Sequence, residues 1–162
     1  VLNNEVDFGI VTLPVRHRDL VSEPLFARPD VLICAPGHKW ARRKWVRLQD
    51  VGEQPLLALE RGSTSRQLLE DDLRRIGTVA EVAMNLGGID VIKRLVEIDL
   101  GVALVPRVAV QQEVEAGKLV AIGVRAMAPR EIGLVEHRGR RRGPAALAFL
   151  EMVKAHVGKV KL

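Results

Sequence analysis

The residues best suited to bind a small molecule form a short run of hydroxyl side chains, Ser63, Thr64 and Ser65, directly after Gly62. The run lies between a predicted buried strand and a predicted helix. The first amides of a helix have no partner within it, and the helix dipole adds partial positive charge there, so such a place can bind a carboxylate, sulfate or phosphate. Spacing alone slightly favours an ordinary N-cap, in which Ser63 or Thr64 satisfies the first turn. The two interpretations are compatible, because one hydroxyl can cap the helix while the others face a ligand.

No other set of residues predicts catalysis or metal binding. The histidines lack the close spacing that is typical of zinc ligands, and they are His17, His38, His137 and His156. The sequence contains neither a nucleophile elbow nor a Walker loop. Asp71 and Asp72 lie beside two arginines in a predicted helix, which indicates a solvated charged face rather than an acid–base pair. We therefore expect a protein that is not an enzyme and that uses neither a metal nor a cofactor.

Length and composition are those of a globular protein. With 162 residues, of which 48% are hydrophobic and 28% charged, the chain is expected to form one domain or two small lobes. It has no apolar run of the roughly 20 residues that a membrane span requires, and its first residues do not resemble a signal peptide. The single cysteine, Cys34, lies in an apolar run and is interpreted as a buried hydrophobic residue. A cytoplasmic location without membrane contact is the expectation.

The net charge of +5 raises the question of nucleic-acid binding. The dense basic run at residues 138–142 contains no aromatic side chain, and aromatic residues make up only 3% of the chain. Surfaces that stack on bases need aromatic side chains. A solvated turn is therefore the favoured interpretation of this run, and a nonspecific phosphate contact is the alternative.

Strands and helices alternate along the chain, which predicts α/β architecture with buried, largely parallel strands. The predicted strands cover residues 6–11, 20–26, 31–35, 56–59, 79–84, 102–105, 119–122 and 132–135. The helix after Ser65 has an apolar face of Leu68, Leu69, Leu73 and Ile76 and is predicted to end at Gly77. Further helices are predicted from Ile89 with Gly101 as the cap, over residues 108–116 with Gly117 as the cap, and from Pro144. Residues 39–55 are predicted to form a polar loop anchored by Trp40, Trp45, Val46 and Leu48.

Several of these stretches resemble the effector-binding domain of LysR-type transcriptional regulators. The strand at residues 6–12 resembles the family's Leu-Asp-apolar-Gly-Ile strand, and residues 25–38 resemble its apolar strand followed by His-Pro, although Lys39 replaces the proline. The most specific similarity joins residues 92–96 to residues 101–106, where Asp99 replaces the first glycine of the family pattern. The matching stretches occur in the same order over nearly the whole chain.

The resemblance implies two Rossmann-like α/β lobes joined by two crossing strands, as in type 2 periplasmic binding proteins. Residues 1–26 and 125–162 are expected to form the first lobe, and residues 27–124 the second. The first lobe is expected to be incomplete, because the strand–helix segment with which this lobe opens in the family is not recognisable.

The resemblance also implies a small-molecule effector, anionic or a carboxylate, bound in the cleft between the lobes. The corresponding positions are Thr12, Ser63, Thr64, Ser65 and the loop at Gly88. DNA is expected to be contacted only by a winged helix–turn–helix that precedes this domain in the whole regulator, and the domain is expected to form homo-oligomers. The alternatives are a transporter's solute-binding protein with the same fold, and an enzyme on the same scaffold, for which no catalytic set was found.

Overall fold

The computed structural model describes residues 1–3, 5–139 and 142–157. The chain divides into two compact units, of which the larger comprises residues 29–128 and the smaller comprises residues 1–28 and 129–162. The elements in chain order are β1 Phe8–Thr12, β2 Leu20–Arg28, β3 Asp30–Cys34, β4 Trp45–Arg47, α1 Leu48–Gly52, β5 Leu56–Leu59, α2 Thr64–Arg75, β6 Val82–Leu86, α3 Ile89–Glu97, β7 Ala103–Pro106, a 3-10 helix Arg107–Val110, α4 Gln111–Glu115, β8 Val120–Arg125, β9 Arg130–His137 and α5 Pro144–Val157. No helix in the described ranges is long and apolar enough to cross a membrane.

The sheets are mixed, so the prediction of largely parallel strands was wrong. In the smaller unit β1 and β2 both run antiparallel to β9, in the order β1-β9-β2. In the larger unit the order is β4-β8-β3-β7, where β3 is antiparallel to both neighbours and β4 is parallel to β8. A separate parallel pair joins β5 to β6. A continuous apolar run shows that both faces of a strand are covered, but the run is the same for either direction of the neighbouring strands.

Strand β3 forms the centre of the larger unit, as its uninterrupted apolar sequence predicts. Because successive side chains of a strand point to opposite faces, Leu32 and Cys34 join one buried cluster and Val31 and Ile33 join another. The first cluster includes Leu69 and Leu73 of α2, and the second includes Ile92 and Val96 of α3. The two helices therefore contribute to different cores.

The smaller unit is held together by β9 and α5. Ile132, Leu134 and Val135 of β9 are buried, and α5 buries Ala146 and Leu150. A stacked pair of phenylalanine rings adds to this packing, since the centroids of Phe8 and Phe149 are 5.8 Å apart.

Residues 39–55 contain regular structure that the sequence analysis missed. Strand β4 and helix α1 lie where a loop was predicted. Trp40, Val46 and Leu48 are buried as predicted, but Trp45 is 44% exposed and is not an anchor. In β4 the side chains alternate, so Trp45 and Val46 face opposite sides of the strand.

The helix ends follow the glycines at two of three predicted positions. Gly77 and Gly117 take left-handed conformations after α2 and α4, with φ of 71° and 69°. The prediction for Gly101 was wrong, because Asp99 takes the left-handed position after α3, with φ of 61°. Gly101 is instead buried, and a Cβ there would collide with the carbonyl oxygen of Pro55.

Two further boundaries differ from prediction. Ile76 lies beyond α2 and is 41% exposed, so it is not part of the buried helix face. Strand β6 begins three residues later than predicted, and Val79 is 87% exposed.

Candidate functional site

Strands β5 and β6 place two helix N-termini at one edge of the larger unit. The strands are parallel, and their last paired residues are Leu59 and Leu86. Helix α2 follows β5 and helix α3 follows β6, so both helices begin beyond the carboxyl ends of the strands. The backbone N–H of Glu60 donates to the carbonyl oxygen of Leu86 at 3.1 Å, which ties the two connections together. The carboxyl edge of parallel strands is the position at which open α/β sheets bind ligands.

Ser63 is the N-cap of α2. Its backbone is extended, with φ of −68° and ψ of 140°, and its Oγ accepts a hydrogen bond from the backbone N–H of Arg66 at 3.3 Å. Gly62 precedes it with φ of 97°, a conformation that a residue with a Cβ adopts at a cost. The cap interpretation therefore holds for Ser63, whose hydroxyl stabilises the start of the helix.

Thr64 and Ser65 are not used by the cap. Thr64 is exposed and Ser65 is half-buried. Within the described ranges the hydroxyls of Thr64 and Ser65 make no hydrogen bond. The backbone N–H groups of these two residues, which precede the capped N–H of Arg66, make none either. Two hydroxyls and two amides are thus available at the positive end of a twelve-residue helix.

Gly88 is the N-cap of α3 and lies at the same edge. Having no side chain, it makes no capping hydrogen bond. The first turn of α3 already contains a carboxylate, Asp90, whose side chain pairs with Lys93 at 3.0 Å. Glu113 accepts from the same lysine at 2.8 Å, and hydrogen bonds to Glu113 and then Asp90 raise the pKa of Lys93. The start of α3 is therefore less suited to an external anion than the start of α2.

A carboxylate also lies at the junction of the two connections. Glu60 is exposed, and its Oε1 is 3.5 Å from the position that a Cβ on Gly87 would occupy. Because like charges repel, an anion bound close to this carboxylate is disfavoured.

Arg66 is a residue that the sequence analysis did not single out. Its side chain is only 4% exposed, and its Nε donates to Oε1 of Glu70 at 2.6 Å. Its Nη1 is buried and has no hydrogen-bond partner in the part of the chain that the structure describes. The Arg–Glu spacing of four residues was visible in the sequence, but such pairs are common on exposed helix faces and do not predict burial.

Thr12 is the last residue of β1 and belongs to the smaller unit. It is half-buried and pairs with Ile132 of β9. The structure therefore brings Ser63, Thr64, Ser65 and Gly88 to one edge of the larger unit, while a contribution of Thr12 to ligand binding stays a prediction. No cluster of three or more His, Cys, Asp or Glu side chains suited to a metal ion occurs among the described residues.

Comparison with known proteins gives the family. The family model of the LysR substrate binding domain matches residues 1–158. The chain belongs to the LysR substrate-binding domain family. This agrees with the resemblance carried by residues 92–106, despite Asp99.

Curated relatives of this LysR domain are transcriptional regulators. The RuBisCO operon transcriptional regulator of Allochromatium vinosum is 28% identical over 98% of this chain and 53% of the relative. The HTH-type transcriptional regulator YeiE of Escherichia coli K12 is 30% identical over 93% of this chain and 52% of the relative. The chain thus spans about half the length of the curated relatives it matches. Their names agree with the expectation of a non-enzymatic domain and do not favour the transporter alternative.

Solved structures confirm the fold of this LysR domain. The regulatory domain of CcmR from Synechocystis PCC6803, in complex with 2-PG, aligns with a TM-score of 0.87 at 21% identity, over 96% of this chain and 76% of that one. The effector-binding domain of QuiR, in complex with shikimate, aligns with a TM-score of 0.86 at 19% identity, over 99% of this chain and 76% of that one. The predicted two-lobed α/β fold of the type 2 periplasmic-binding-protein class is therefore confirmed.

Proposed function

We propose that this chain is the effector-sensing domain of a LysR-type transcriptional regulator and that it binds a small anion or carboxylic acid at the start of α2. The observation that carries the proposal is the set of unused donors on Thr64 and Ser65, next to a hydroxyl that already caps the helix. Small-molecule binding is further supported by the structures of the CcmR domain in complex with 2-PG and of the QuiR domain in complex with shikimate.

In this arrangement each residue has a distinct part. Ser63 fixes the first turn, so that the amides of Thr64 and Ser65 point along the helix axis towards the ligand. The two hydroxyls donate to the same anionic group. Charge-assisted hydrogen bonds of this kind are shorter and stronger than neutral ones, which gives a carboxylate preference over a neutral amide. Gly88 and Thr12 are proposed as further contacts to the rest of the effector.

The proposal extends to the whole regulator. Residues 1–26 with 125–162, and residues 27–124, are proposed as its two effector-binding lobes. The relatives contain about as much additional sequence as the part matched here, and a winged helix–turn–helix within it is proposed to contact DNA. An effector changes DNA-binding activity only by binding one state of the regulator more tightly than the other. The whole protein is proposed to act in the cytoplasm as a homo-oligomer.

The test removes the unused hydroxyls and leaves the cap in place. Calorimetric titration compares the wild-type chain with Thr64→Ala/Ser65→Ala, using the tightest-binding member of a panel of acetate, malonate, sulfate and phosphate. Loss of two hydrogen bonds to a charged group is expected to weaken binding at least about tenfold. Ser22→Ala, an exposed hydroxyl on β2, is the matched control and should leave the affinity unchanged. Equal affinity of the wild-type chain and the double variant, with both folded, contradicts the site.

A further inference from the structure

A second basic segment, residues 39–47, is longer than the run at residues 138–142 and contains five cations against four. This segment, called here the cationic loop, contains Lys39, Arg42, Arg43, Lys44 and Arg47 and no acidic residue, so its charge of +5 equals that of the entire chain. It also contains Trp40 and Trp45, the only tryptophans of the protein. Its residues were predicted to form part of a polar loop. Arg140 and Arg141 of the other run lie outside the described residues.

The cationic loop has a fixed backbone. Trp40 is only 4% exposed and anchors the loop in the core of the larger unit. Successive turns are closed by backbone hydrogen bonds from Ala41 to His38 at 2.9 Å and from Arg43 to Trp40 at 2.8 Å. The backbone N–H of Trp40 also donates to Nδ1 of His38 at 3.2 Å. The backbone of the loop therefore loses little conformational entropy when a partner binds to it.

Most of the charge of the cationic loop is not neutralised. Arg42, Arg43 and Lys44 are exposed, and none of them forms an ion pair with a carboxylate in the described ranges. Only Arg47 does so, with Asp50 at 2.7 Å. Arg42, Arg43 and Lys44 are consecutive in the sequence. Like charges at neighbouring positions repel one another, and a bound polyanion relieves that repulsion.

A sixth cation from β8 extends the cationic loop. Arg125 pairs in register with Arg47 across the parallel β4–β8 ladder. Its guanidinium carbon lies 2.9 Å from the centroid of the Trp45 ring, so this cation is held over the ring. The same contact covers one face of Trp45, which makes the ring a poor platform for an unpaired base.

We propose that the cationic loop binds the phosphate backbone of duplex DNA without sequence preference. Arginine matches phosphate because its guanidinium can donate two parallel hydrogen bonds, and four of the six cations are arginines. An acidic protein surface is disfavoured, since Trp45, the exposed aromatic residue here, is stacked with Arg125 and is not a free anchor. The proposal goes beyond the effector-sensing function and does not depend on the α2 site. It departs from the expectation that DNA is contacted only by a winged helix–turn–helix.

The test measures binding of this chain to a short fluorescent duplex of arbitrary sequence by anisotropy over a range of NaCl concentrations. Arg42→Gln/Arg43→Gln/Lys44→Gln is expected to reduce the slope of log K against log salt by about 2–3 and to weaken binding about tenfold or more at low salt. The matched control, Arg16→Gln/Arg107→Gln/Lys118→Gln, removes the same charge from exposed positions outside both basic runs and should retain most of the affinity.

Three results overturn the proposal. Equal losses in the two triple variants indicate diffuse attraction by net charge. Tighter binding of polyglutamate than of the duplex indicates an acidic protein partner. Tighter binding of a single strand of the same sequence indicates base stacking. If the loop variant has a lowered thermal midpoint, Lys44→Gln alone replaces it, with an expected slope change of about 0.9.

Discussion

Leu59 and Leu86 form the last pair of the parallel β5–β6 ladder, and this pairing determines where the candidate effector site lies. Since the chain leaves both strands at the same edge, the first turns of α2 and α3 are neighbours although Ser63 and Gly88 are far apart in sequence. The N-termini of the two helices differ in how far their hydrogen-bond donors and positive charge are already satisfied. The α3 start has its own carboxylate, Asp90, whereas the α2 start has unused donors on Thr64 and Ser65.

Because only the Ser63 hydroxyl caps α2, removing the hydroxyls of Ser63 and Thr64 should affect the stability of the protein differently. Ser63→Ala should lower the free energy of unfolding by about 1 kcal/mol, because the N3 amide loses its acceptor. Thr64→Ala should leave stability within about 0.5 kcal/mol of the wild type, since its hydroxyl caps nothing. Urea unfolding of both variants checks this. A larger loss for Thr64→Ala than for Ser63→Ala contradicts the assignment of the cap.

The end of α3 predicts a stabilising substitution. Asp99 has φ of 61° at a position where the family pattern has glycine. Asp99→Gly relieves the backbone strain but increases the entropy of the unfolded chain. The net effect should be a free energy of unfolding that is higher by up to about 1 kcal/mol. Gly101→Ala, two residues away, should lower it by about 1–3 kcal/mol because its Cβ meets the Pro55 carbonyl oxygen. Thermal unfolding of both variants gives the comparison. A destabilised Asp99→Gly protein means that the Asp99 side chain makes a stabilising contact that outweighs the backbone strain.

His38 is expected to make the larger unit less stable at acidic pH. Burial lowers the pKa of His38, partly opposed by the carboxylate of Asp99, while the unfolded chain keeps the ordinary value of about 6.5. As pH falls below about 6.5, the unfolded state takes up the proton first, so stability decreases. Protonation at Nδ1 also removes the acceptor used by the Trp40 amide.

The matching experiment compares urea unfolding at neutral pH and at mildly acidic pH. His38→Gln should show a smaller decrease than the wild-type chain, whereas His156→Gln, an exposed position on α5, should behave like the wild type. An unchanged decrease in His38→Gln means that other groups cause it.

Cys34 is predicted to be unreactive in the folded protein. Its side chain is fully buried in β3, and burial, with a smaller contribution from Asp99, raises the pKa of the thiol to about 11. The nucleophilic thiolate is therefore scarce at mildly alkaline pH. A thiol-specific chromogenic disulfide should react with one thiol per chain in denaturant and only at the rate of unfolding in buffer. Fast stoichiometric reaction of the native protein contradicts the buried position.

The sequence predicted those features that depend on local pattern. The buried strand at residues 31–35 was recognisable because an uninterrupted apolar run needs cover on both faces. The α2 cap was recognisable because serine directly before a helical period is a preferred N-cap residue. The resemblance gave the family, which the match over residues 1–158 confirms.

Features that depend on tertiary partners were not predicted. The antiparallel pairing of β3 with β7 and β8 depends on how distant segments meet, and nothing in the apolar runs encodes direction. The burial of Arg66 depends on what covers α2, and the sequence shows only a common surface spacing. The cationic loop was overlooked because its tryptophans were interpreted only as anchors, whereas Trp45 is exposed beneath Arg125.

Binding of a small anion to this chain can be measured by thermal unfolding against a panel of small carboxylates, sulfate and phosphate. A ligand that binds only the folded chain raises its stability by RT ln(1 + [L]/Kd), which is about 2.7 kcal/mol at a hundredfold excess over Kd. We expect that at least one acid raises the midpoint of the wild-type chain and that Thr64→Ala/Ser65→Ala abolishes most of the shift. A shift of equal size in the double variant, or one produced only by the neutral amide of the same acid, contradicts this expectation.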